Sequence, residues 1–169
     1  MERSMSAENL LELASRLEPL ISTFNPPPVY WIGNGGEGLD YCFACCKALV
    51  DDHNKKRSAT DAKWVVDGGW DAQRENDGPA SCDACSKTLG YTLTQCGVAQ
   101  EIDHFQQHPP TSPLDPDTAY AIGAILDEAA YSDCAEVVDA AMKIGAAAIA
   151  ALPEELISDD SLDCDTAAS

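Results

Sequence analysis

Basic residues are scarce in this 169-residue chain, and nearly all of them precede residue 101. Lysine and arginine total 10 against 29 aspartates and glutamates, which gives a formal net charge of −19. Residues 101–169 carry 15 acids and a single base, Lys143, for a net charge of −14. Nucleic-acid binders gain much of their affinity from basic residues that displace phosphate counterions. The charge balance therefore argues against nucleic acid and favours a protein partner with a basic surface.

Long uncharged hydrophobic runs are also missing. The most apolar stretch, Cys134 to Leu152, is interrupted by Glu136, Asp139 and Lys143, which indicates a buried or half-buried helix rather than a membrane span. The start of the chain leads directly into a polar amphipathic segment without the apolar core of a signal peptide. We therefore expect a reducing, cytoplasmic setting without membrane contact, in which the eight cysteines form no disulfide scaffold.

Several enzyme signatures are incomplete. A zinc nucleobase deaminase needs a His-x-Glu sequence for a ligand and a general acid, and no His-x-Glu occurs here. Asp103-His104 is followed only by His108, which is too close to complete a nuclease metal finger. The glycine-rich loop 33–38 does not open a helix within a βαβ unit, as a dinucleotide site requires. Catalysis is therefore unsupported, and we expect no enzyme.

A four-residue Cys-x-x-Cys motif that occurs twice is the most specific feature of the sequence. Cys42-Phe43-Ala44-Cys45 and Cys82-Asp83-Ala84-Cys85 are separated by 36 residues. Two Cys-x-x-Cys pairs can close a tetrahedral shell of four thiolates around one Zn²⁺. A closed shell leaves no position for water, so such an ion would stabilise the fold and not catalyse. The predicted ligands of this single structural zinc ion are Cys42, Cys45, Cys82 and Cys85.

The remaining cysteines leave two alternatives open. Cys46 adjoins the first pair, and could either replace a neighbour as a ligand or pack inside a helix. Cys96 and His104 could contribute to a second, mixed metal site, although their spacing is irregular. Cys134 and Cys164 are most simply free thiols.

Hydropathy patterns predict an α+β fold, with a small zinc-ribbon-like sheet and an inserted helix, flanked by an N-terminal helix and a C-terminal helical pair. Residues 1–28 should form the N-terminal helix, kinked or ended at Pro19, and a proline linker. Residues 29–108 should form the zinc-binding α+β module, residues 109–153 a helical hairpin, and residues 154–169 a partly disordered acidic tail.

Local patterns predict the individual elements within this frame. Asp115 should cap a helix that has Pro116 at its first position, and Asp133 with Glu136 should form the capping box of the next helix. Gly68-Gly69-Trp70 should be the turn after a strand. The predicted strands are 29–32, 63–66 and 88–94, the last pairing with an earlier strand, and the predicted helices are 6–21, 43–57, 97–108, 116–130 and 134–152.

Five aromatic residues surround the cysteine pairs along the chain. We expect most of them to form the core around zinc, since small ribbons have little else to bury. Trp70, beside its glycine pair, is the best candidate to anchor a partner. The five are Tyr30, Trp31, Trp64, Trp70 and Tyr91.

The cysteine region resembles small uncharacterised zinc-binding proteins of bacterial mobile elements and phages. The resemblance covers roughly residues 41–108, the cysteines carry its specificity, and it implies no known reaction. The chain departs from the pattern at Ser86, where a glycine is usual after such a pair. The residues concerned are Tyr41-Cys42-x-x-Cys45, Gly68-Gly69-Trp70, Asp77-Gly78-Pro79, Cys82-x-x-Cys85, Leu89, Leu93-Thr94, Gly97-Val98 and His104-Phe105.

These features suggest a non-enzymatic, zinc-stabilised acidic adaptor or inhibitor that docks on a protein partner. Such a partner could be a host nucleic-acid-binding or defence complex, bound by phosphate mimicry in an anti-CRISPR-like or anti-restriction-like manner. Acidity that only confers solubility is an equally open interpretation. The candidate partner-binding residues are Trp70, Asp127, Glu128, Asp133, Glu136 and Asp139. The alternative function is a nucleic-acid-binding zinc-ribbon regulator that uses Lys47, Lys55, Lys56, Arg57 and Lys63.

Overall fold

Helices and short strands occur together in the computed structural model, which describes residues 2–35, 38–70 and 75–157, without the side chains of residues 2–5 and 70. The α+β class is therefore as predicted. In chain order the elements are α1 (Glu2–Ile21), β1 (Val29–Gly33), α2 (Phe43–Lys56), β2 (Val65–Trp70), β3 (Glu75–Asn76), β4 (Thr92–Leu93), α3 (Gln95–Gln107), α4 (Pro116–Ala129), α5 (Ala135–Ala150) and α6 (Glu154–Ile157).

The chain divides into two compact units. The helical unit comprises Met1–Phe24 and Gln95–Ser169, and the cysteine unit comprises Asn25–Thr94. This division differs from the predicted segments, because α1 and α3 both belong with the C-terminal helices. The boundary after the cysteine region lies at residue 94 and not at 108.

The helical unit is built on close contacts of α1 with α4 and α5, and of α3 with the same two helices. Its most buried residues are apolar, as the helical spacing predicted. A Cβ atom at Gly145 would lie 2.9 Å from Cδ1 of Leu13, so the small residues of α5 do let a neighbouring helix approach. The core includes Leu10, Leu17, Val98, Ile102, Phe105, Ile122, Ile125, Leu126, Ala141, Ile144 and Ala148.

One of the two predicted helix caps in this unit is present. The carboxylate of Asp115 accepts the N–H of Thr118 at 2.8 Å, with Pro116 at the first helical position, as predicted. The predicted capping box at Asp133 is wrong, because α5 begins one residue later, with Cys134 at the N-cap position and no side-chain cap. The N–H of Cys134 donates instead to the hydroxyl of Ser132, which holds the chain in the turn before the helix.

The N-terminal helix begins four residues earlier than predicted and ends at the predicted residue, Ile21. It begins at Glu2, and it includes Pro19 within its last turn before ending at Ile21. A proline removes one backbone N–H donor and disturbs the helical turn before it, and so near the C-terminal end this affects only the last turns of the helix. None of the helices in the described part of the chain is long and apolar enough to cross a membrane.

In the cysteine unit, β1 and β2 pair antiparallel with one break in register. This break lies where the sequence predicted a turn after the strand. Gly68 and Gly69 lie within β2 and not after it, with φ values of 104° and 82°. Gly69 is the extra residue between the Val29 and Tyr30 partners, so it forms a bulge. A Cβ atom at Gly68 would lie 2.7 Å from the carbonyl oxygen of Val29, which explains the need for glycine there.

The predicted strand 88–94 is largely absent. Only Thr92–Leu93 form a strand, β4, which pairs parallel with the earlier strand β3. Thr88 makes an isolated antiparallel bridge with Ser81, next to Cys82. Leu89, Gly90 and Tyr91 are all buried, so this segment turns inward instead of alternating between two faces. The N–H of Gly90 donates to the carbonyl of Pro27 at 2.9 Å, which fixes it in that position.

Candidate metal centre

Four sulfur atoms converge in the cysteine unit. The Sγ atoms of Cys42, Cys45, Cys82 and Cys85 all lie within 4.8 Å of one another, and those of Cys42 and Cys85 are 3.9 Å apart. A tetrahedral shell with Zn–S bonds of about 2.3 Å requires sulfurs roughly 3.8 Å apart. Among the described residues this is the one group of three or more side chains with metal-ligand spacing. The donors therefore fit one thiophilic ion in tetrahedral geometry.

A helix start positions the first cysteine pair. Cys42 is the N-cap residue of α2, with extended backbone angles, and Cys45 lies in its first turn. The N–H of Cys46 donates to the carbonyl of Cys42 at 3.0 Å, closing the turn that brings both sulfurs to one side. The unpaired N–H groups and the dipole at the start of a helix favour thiolates over thiols.

A tight turn positions the second pair. The N–H of Ser86 donates to the carbonyl of Cys82 at 2.8 Å, and the N–H of Cys82 donates to the carbonyl of Lys87 at 2.8 Å. Ser86 has φ 63°, in the left-handed region that costs a residue with a side chain about 1–2 kcal/mol. The departure at Ser86 noted in the sequence is thus a serine at a position whose backbone suits glycine.

Two reciprocal hydrogen bonds join the turn to the segment before the helix. The N–H of Asp83 donates to the carbonyl of Asp40 at 2.8 Å, and the N–H of Asp40 donates to the Asp83 carboxylate at 2.8 Å. Asp83 lies between the cysteines of the second pair, and Asp40 lies two residues before Cys42. The pairing of Asp40 with Asp83 therefore sets the register between the two cysteine pairs.

The surroundings of the sulfurs favour negative charge on Cys82. Its side chain is only 1% exposed, and burial alone would raise its pKa. Backbone N–H groups of Cys42, Cys85 and Ala84, together with the Cys85 thiol, outweigh burial and lower the pKa of Cys82 to about 6. The pKa of Cys45 is raised to about 12, first by its hydrogen bond with Cys42 and then by that with Cys85. The amide N–H groups around Cys82 thus stabilise its thiolate, the form in which cysteine binds a metal, whereas Cys45 has to release its proton when a metal binds.

Cys46 does not belong to this cluster. Its side chain is fully buried, and its thiol donates to the carbonyl of Trp31 on β1 at a sulfur–oxygen distance of 3.4 Å. Burial raises the pKa of Cys46, which keeps it a thiol. The sequence left open whether Cys46 replaces a neighbouring ligand or packs inside a helix, and its position in the structure is the packed one.

The possible second metal site does not form a cluster. Cys96 is exposed on α3, and the His104 ring contacts those of Phe105 and His108, with centroids 5.1 Å and 4.9 Å away. No group of three ligands within the described ranges includes Cys96 or His104.

The predicted partner-binding acids lie at different places in the helical unit. Glu128 accepts a hydrogen bond from the Gln95 amide at 2.7 Å, so it is engaged within the unit. Asp127 reaches solvent, yet partial loss of hydration, followed by repulsion from Glu18, raises its pKa. Glu128 and Asp127 are therefore not equivalent surface charges.

The other acids lie around the start of α5. Asp133 precedes the helix, Glu136 is exposed in its first turn, and Asp139 forms an exposed ion pair with Lys143 at 3.1 Å. Asp133 and Asp139 both line a cleft of the helical unit. The remaining candidate, Trp70, has a side chain outside the described residues.

The basic residues of the alternative function are partly matched by nearby acids. Lys47 pairs with Asp51 at 2.8 Å, and Lys56 pairs with Asp52 at 3.0 Å, both on the surface of α2. Lys55 lies on the same helix, Arg57 caps its end and donates to the carbonyl of Asp61, and Lys63 lies in the following loop. These i, i+4 pairs reduce the positive potential that a phosphate-binding stripe would need.

Four of the five aromatic residues near the cysteine pairs have described side chains, and all four are buried or half-buried. Tyr91 is buried, at 2% exposure, and Trp64 stacks on His53 with ring centroids 3.7 Å apart. Among the aromatic side chains that the structure describes, two that the pattern did not single out are exposed: Phe43 at 51% and Tyr131 at 78%. The exposed Phe43 still packs one edge against Tyr30, with ring centroids 5.2 Å apart.

No protein family, curated protein or solved structure matches this chain. The resemblance to zinc-binding proteins of mobile elements therefore stays a prediction.

Proposed function

We propose that this chain is a non-enzymatic, metal-stabilised acidic protein whose helical unit docks on a basic surface of a protein partner. Zn²⁺ is the proposed metal, held in a zinc-ribbon-like manner by Cys42, Cys45, Cys82 and Cys85. The proposed partner class is a host nucleic-acid-binding or defence protein, whose phosphate-binding groove the acidic helices would occupy.

The uneven distribution of charge between the two units is the observation that supports the docking role. The cysteine unit has 10 acids and 7 bases, for a net charge of −3, whereas the helical unit has 19 acids and 3 bases, for a net charge of −16. Acidity needed only for solubility has no reason to concentrate in one unit. A field of one sign on one unit favours fast association with a surface of the opposite sign.

The metal centre supports the structural half of the proposal. Four cysteine ligands around one Zn²⁺ would complete its coordination, so no position would be left for a substrate or an activated water. Backbone N–H groups around the cluster donate to Cys82. Among the described residues, the cluster includes no histidine and no carboxylate. This composition is typical of structural sites, in which the ion holds segments together.

Affinity capture with the full-length protein tests the docking role. The protein would be immobilised, incubated with an extract of its host, and eluted with a salt gradient before mass spectrometry. We expect a small set of lysine- and arginine-rich proteins that elute as salt screens the attraction. Recovery of no partner at low salt would favour acidity for solubility alone.

A gel-shift titration at low salt separates the alternative regulator. The full chain is the appropriate sample, because a fragment of residues 1–108 would cut through the helical unit. Tight binding to DNA or RNA that weakens when Lys55 and Lys63 are changed to Gln would contradict the proposed role.

A further inference from the structure

The helical unit contains a half-open cleft of about 480 Å³. It lies between the N-terminal part of α1, the turn that joins α4 to α5, and the first turns of α5. Clefts of this size are large enough to hold a small ligand or more than one side chain of a partner. Three of its described lining residues are alanines: Ala7 on α1, Ala130 in the turn and Ala135 on α5.

The lining combines apolar and polar side chains. Ala7, Val138 and Met142 present aliphatic and thioether surface, whereas Ser132, Asp133 and Asp139 present oxygen atoms. The apolar residues come from both α1 and α5, so the surface continues from one helix to the other. This combination suits a side chain that has an aliphatic stem and a polar head.

Both charged residues among the described lining residues of the cleft are acidic. Asp133 and Asp139 are its charged lining residues, and the nearest described base on α5, Lys143, is an exposed partner of Asp139 at 3.1 Å. The unit around them carries a net charge of −16. The dipole at the start of α5 would favour an anion, but two carboxylates and this net charge oppose one. Charge complementarity therefore selects a cation.

We propose that this cleft is the docking site for a basic segment of the protein partner, and that it holds an arginine or lysine side chain. The aliphatic stem lies on Val138 and Met142, and the charged head meets the carboxylates of Asp133 and Asp139. Tyr131, 78% exposed and between two lining residues in sequence, offers an aromatic ring to a second cation at the edge. This inference rests on the proposed docking role, which it refines to one site.

Fluorescence anisotropy with two labelled peptides tests the site directly. One peptide alternates arginine with leucine, and the other alternates arginine with serine, at equal length and charge. We expect the full-length protein to bind the leucine peptide more tightly, because only that peptide can cover the apolar lining residues Val138 and Met142. Equal affinity for both peptides would contradict the role of these apolar residues.

Variants of the full-length protein separate the cleft from general acidity. The double change Asp133→Asn and Asp139→Asn should weaken binding of the leucine peptide on the order of tenfold. The control, Glu154→Gln with Glu155→Gln, removes the same charge from α6 away from the cleft and should leave the affinity within about twofold. Equal losses in the two double variants would overturn the site, since the attraction would then be a property of net charge alone.

A filled cleft gives a second measurement that leaves the charge unchanged. Ala135 lines the cleft at the first position of α5, so Ala135→Leu reduces its volume without altering a carboxylate. We expect this variant to lose peptide binding while its far-UV circular dichroism spectrum and thermal midpoint match those of the wild type. Wild-type affinity in a folded Ala135→Leu variant would overturn the proposal.

The same variants distinguish a failed site from a failed function. If the cleft variants still capture basic host proteins as the wild type does, the docking role stands and the cleft is not its site. If the wild-type protein binds neither peptide nor any basic host protein, both proposals fail.

Discussion

Removal of the metal should unfold the cysteine unit and leave the helical unit folded. The perturbation is either a strong chelator or the double variant Cys82→Ser with Cys85→Ser, which deletes half of the proposed shell. The two units have separate cores, so loss of one need not propagate to the other. The cysteine unit depends on the site because both of its sheets have only two strands.

The size of the effect follows from the size of the unit. Structural zinc sites contribute about 10–16 kcal/mol of apparent binding free energy at neutral pH. A unit of about 70 residues has a net free energy of unfolding of roughly 4–10 kcal/mol. Since the first quantity equals or exceeds the second, the metal-free unit should be unfolded or nearly so.

Two optical signals report the two units separately. All three tryptophans, Trp31, Trp64 and Trp70, lie in the cysteine unit, so their fluorescence follows that unit alone. The helical signal comes mainly from the other unit, because α2 has 14 residues whereas α1, α3, α4 and α5 have 20, 13, 14 and 16. Chelation should therefore shift tryptophan emission to that of exposed indole while ellipticity at 222 nm falls by roughly a fifth.

Metal analysis and a matched cysteine variant complete the experiment. Protein purified without chelator should contain about one Zn²⁺ per chain, as a single four-cysteine site requires. Cys96→Ser, which changes an exposed cysteine on α3, should keep both the metal and the tryptophan emission. Native tryptophan emission in the double variant would contradict the metal dependence of the cysteine unit, and a joint loss of both optical signals would contradict the independence of the helical unit.

Three further predictions concern single positions. Gly68→Ala should lower the free energy of unfolding of the cysteine unit by about 2–4 kcal/mol, because the new Cβ would sit on a left-handed backbone and contact a carbonyl oxygen. Urea unfolding followed by tryptophan emission measures this loss. The control, Gly78→Ala, adds a Cβ that meets nothing within 4 Å and should change the stability little. Ser86→Gly should stabilise the same unit by about 0.5–1 kcal/mol because it relieves the left-handed strain, and Ser81→Gly at an ordinary backbone position should not; equal effects would contradict this. Asp127→Asn should raise the thermal midpoint of the helical unit at neutral pH, because the raised pKa of Asp127 means that its ionised form destabilises the folded state. The gain should vanish as the pH falls below the usual aspartate pKa of 3.8, where the wild-type carboxyl is protonated as well. A gain that is independent of pH would contradict this.

Much of the helical structure could be predicted from short-range patterns. Asp115 and Pro116 define the start of α4 because a carboxylate at the N-cap and a proline at the first position act within four residues. The apolar spacing of Val98, Ile102 and Phe105 likewise predicted α3 and the face that it buries. The strand 88–94 could not be predicted correctly, because burial of three successive residues there depends on segments distant in sequence.

The candidate site divides in the same way. The doubled cysteine spacing alone predicted which four sulfurs would meet, because a Cys-x-x-Cys turn brings its own two sulfurs together wherever it folds. The pattern did not show that Asp40 and Asp83 would join the pairs, or that Cys46 would face β1. Those contacts join residues 15 to 43 positions apart, and no local periodicity encodes them.

The sequence by itself determined the four converging cysteines, most of the helical segments and the excess of acid, since each depends on residue type and short spacing. Only the tertiary structure decided that α1 and α3 join the C-terminal helices, which gathers a net charge of −16 into one unit. It also decided that Ala7 of α1 lines the same cleft as Val138, Met142, Asp133 and Asp139. The physical reason is that helix packing pairs faces by shape, and shape complementarity between distant segments leaves no signal in either segment alone.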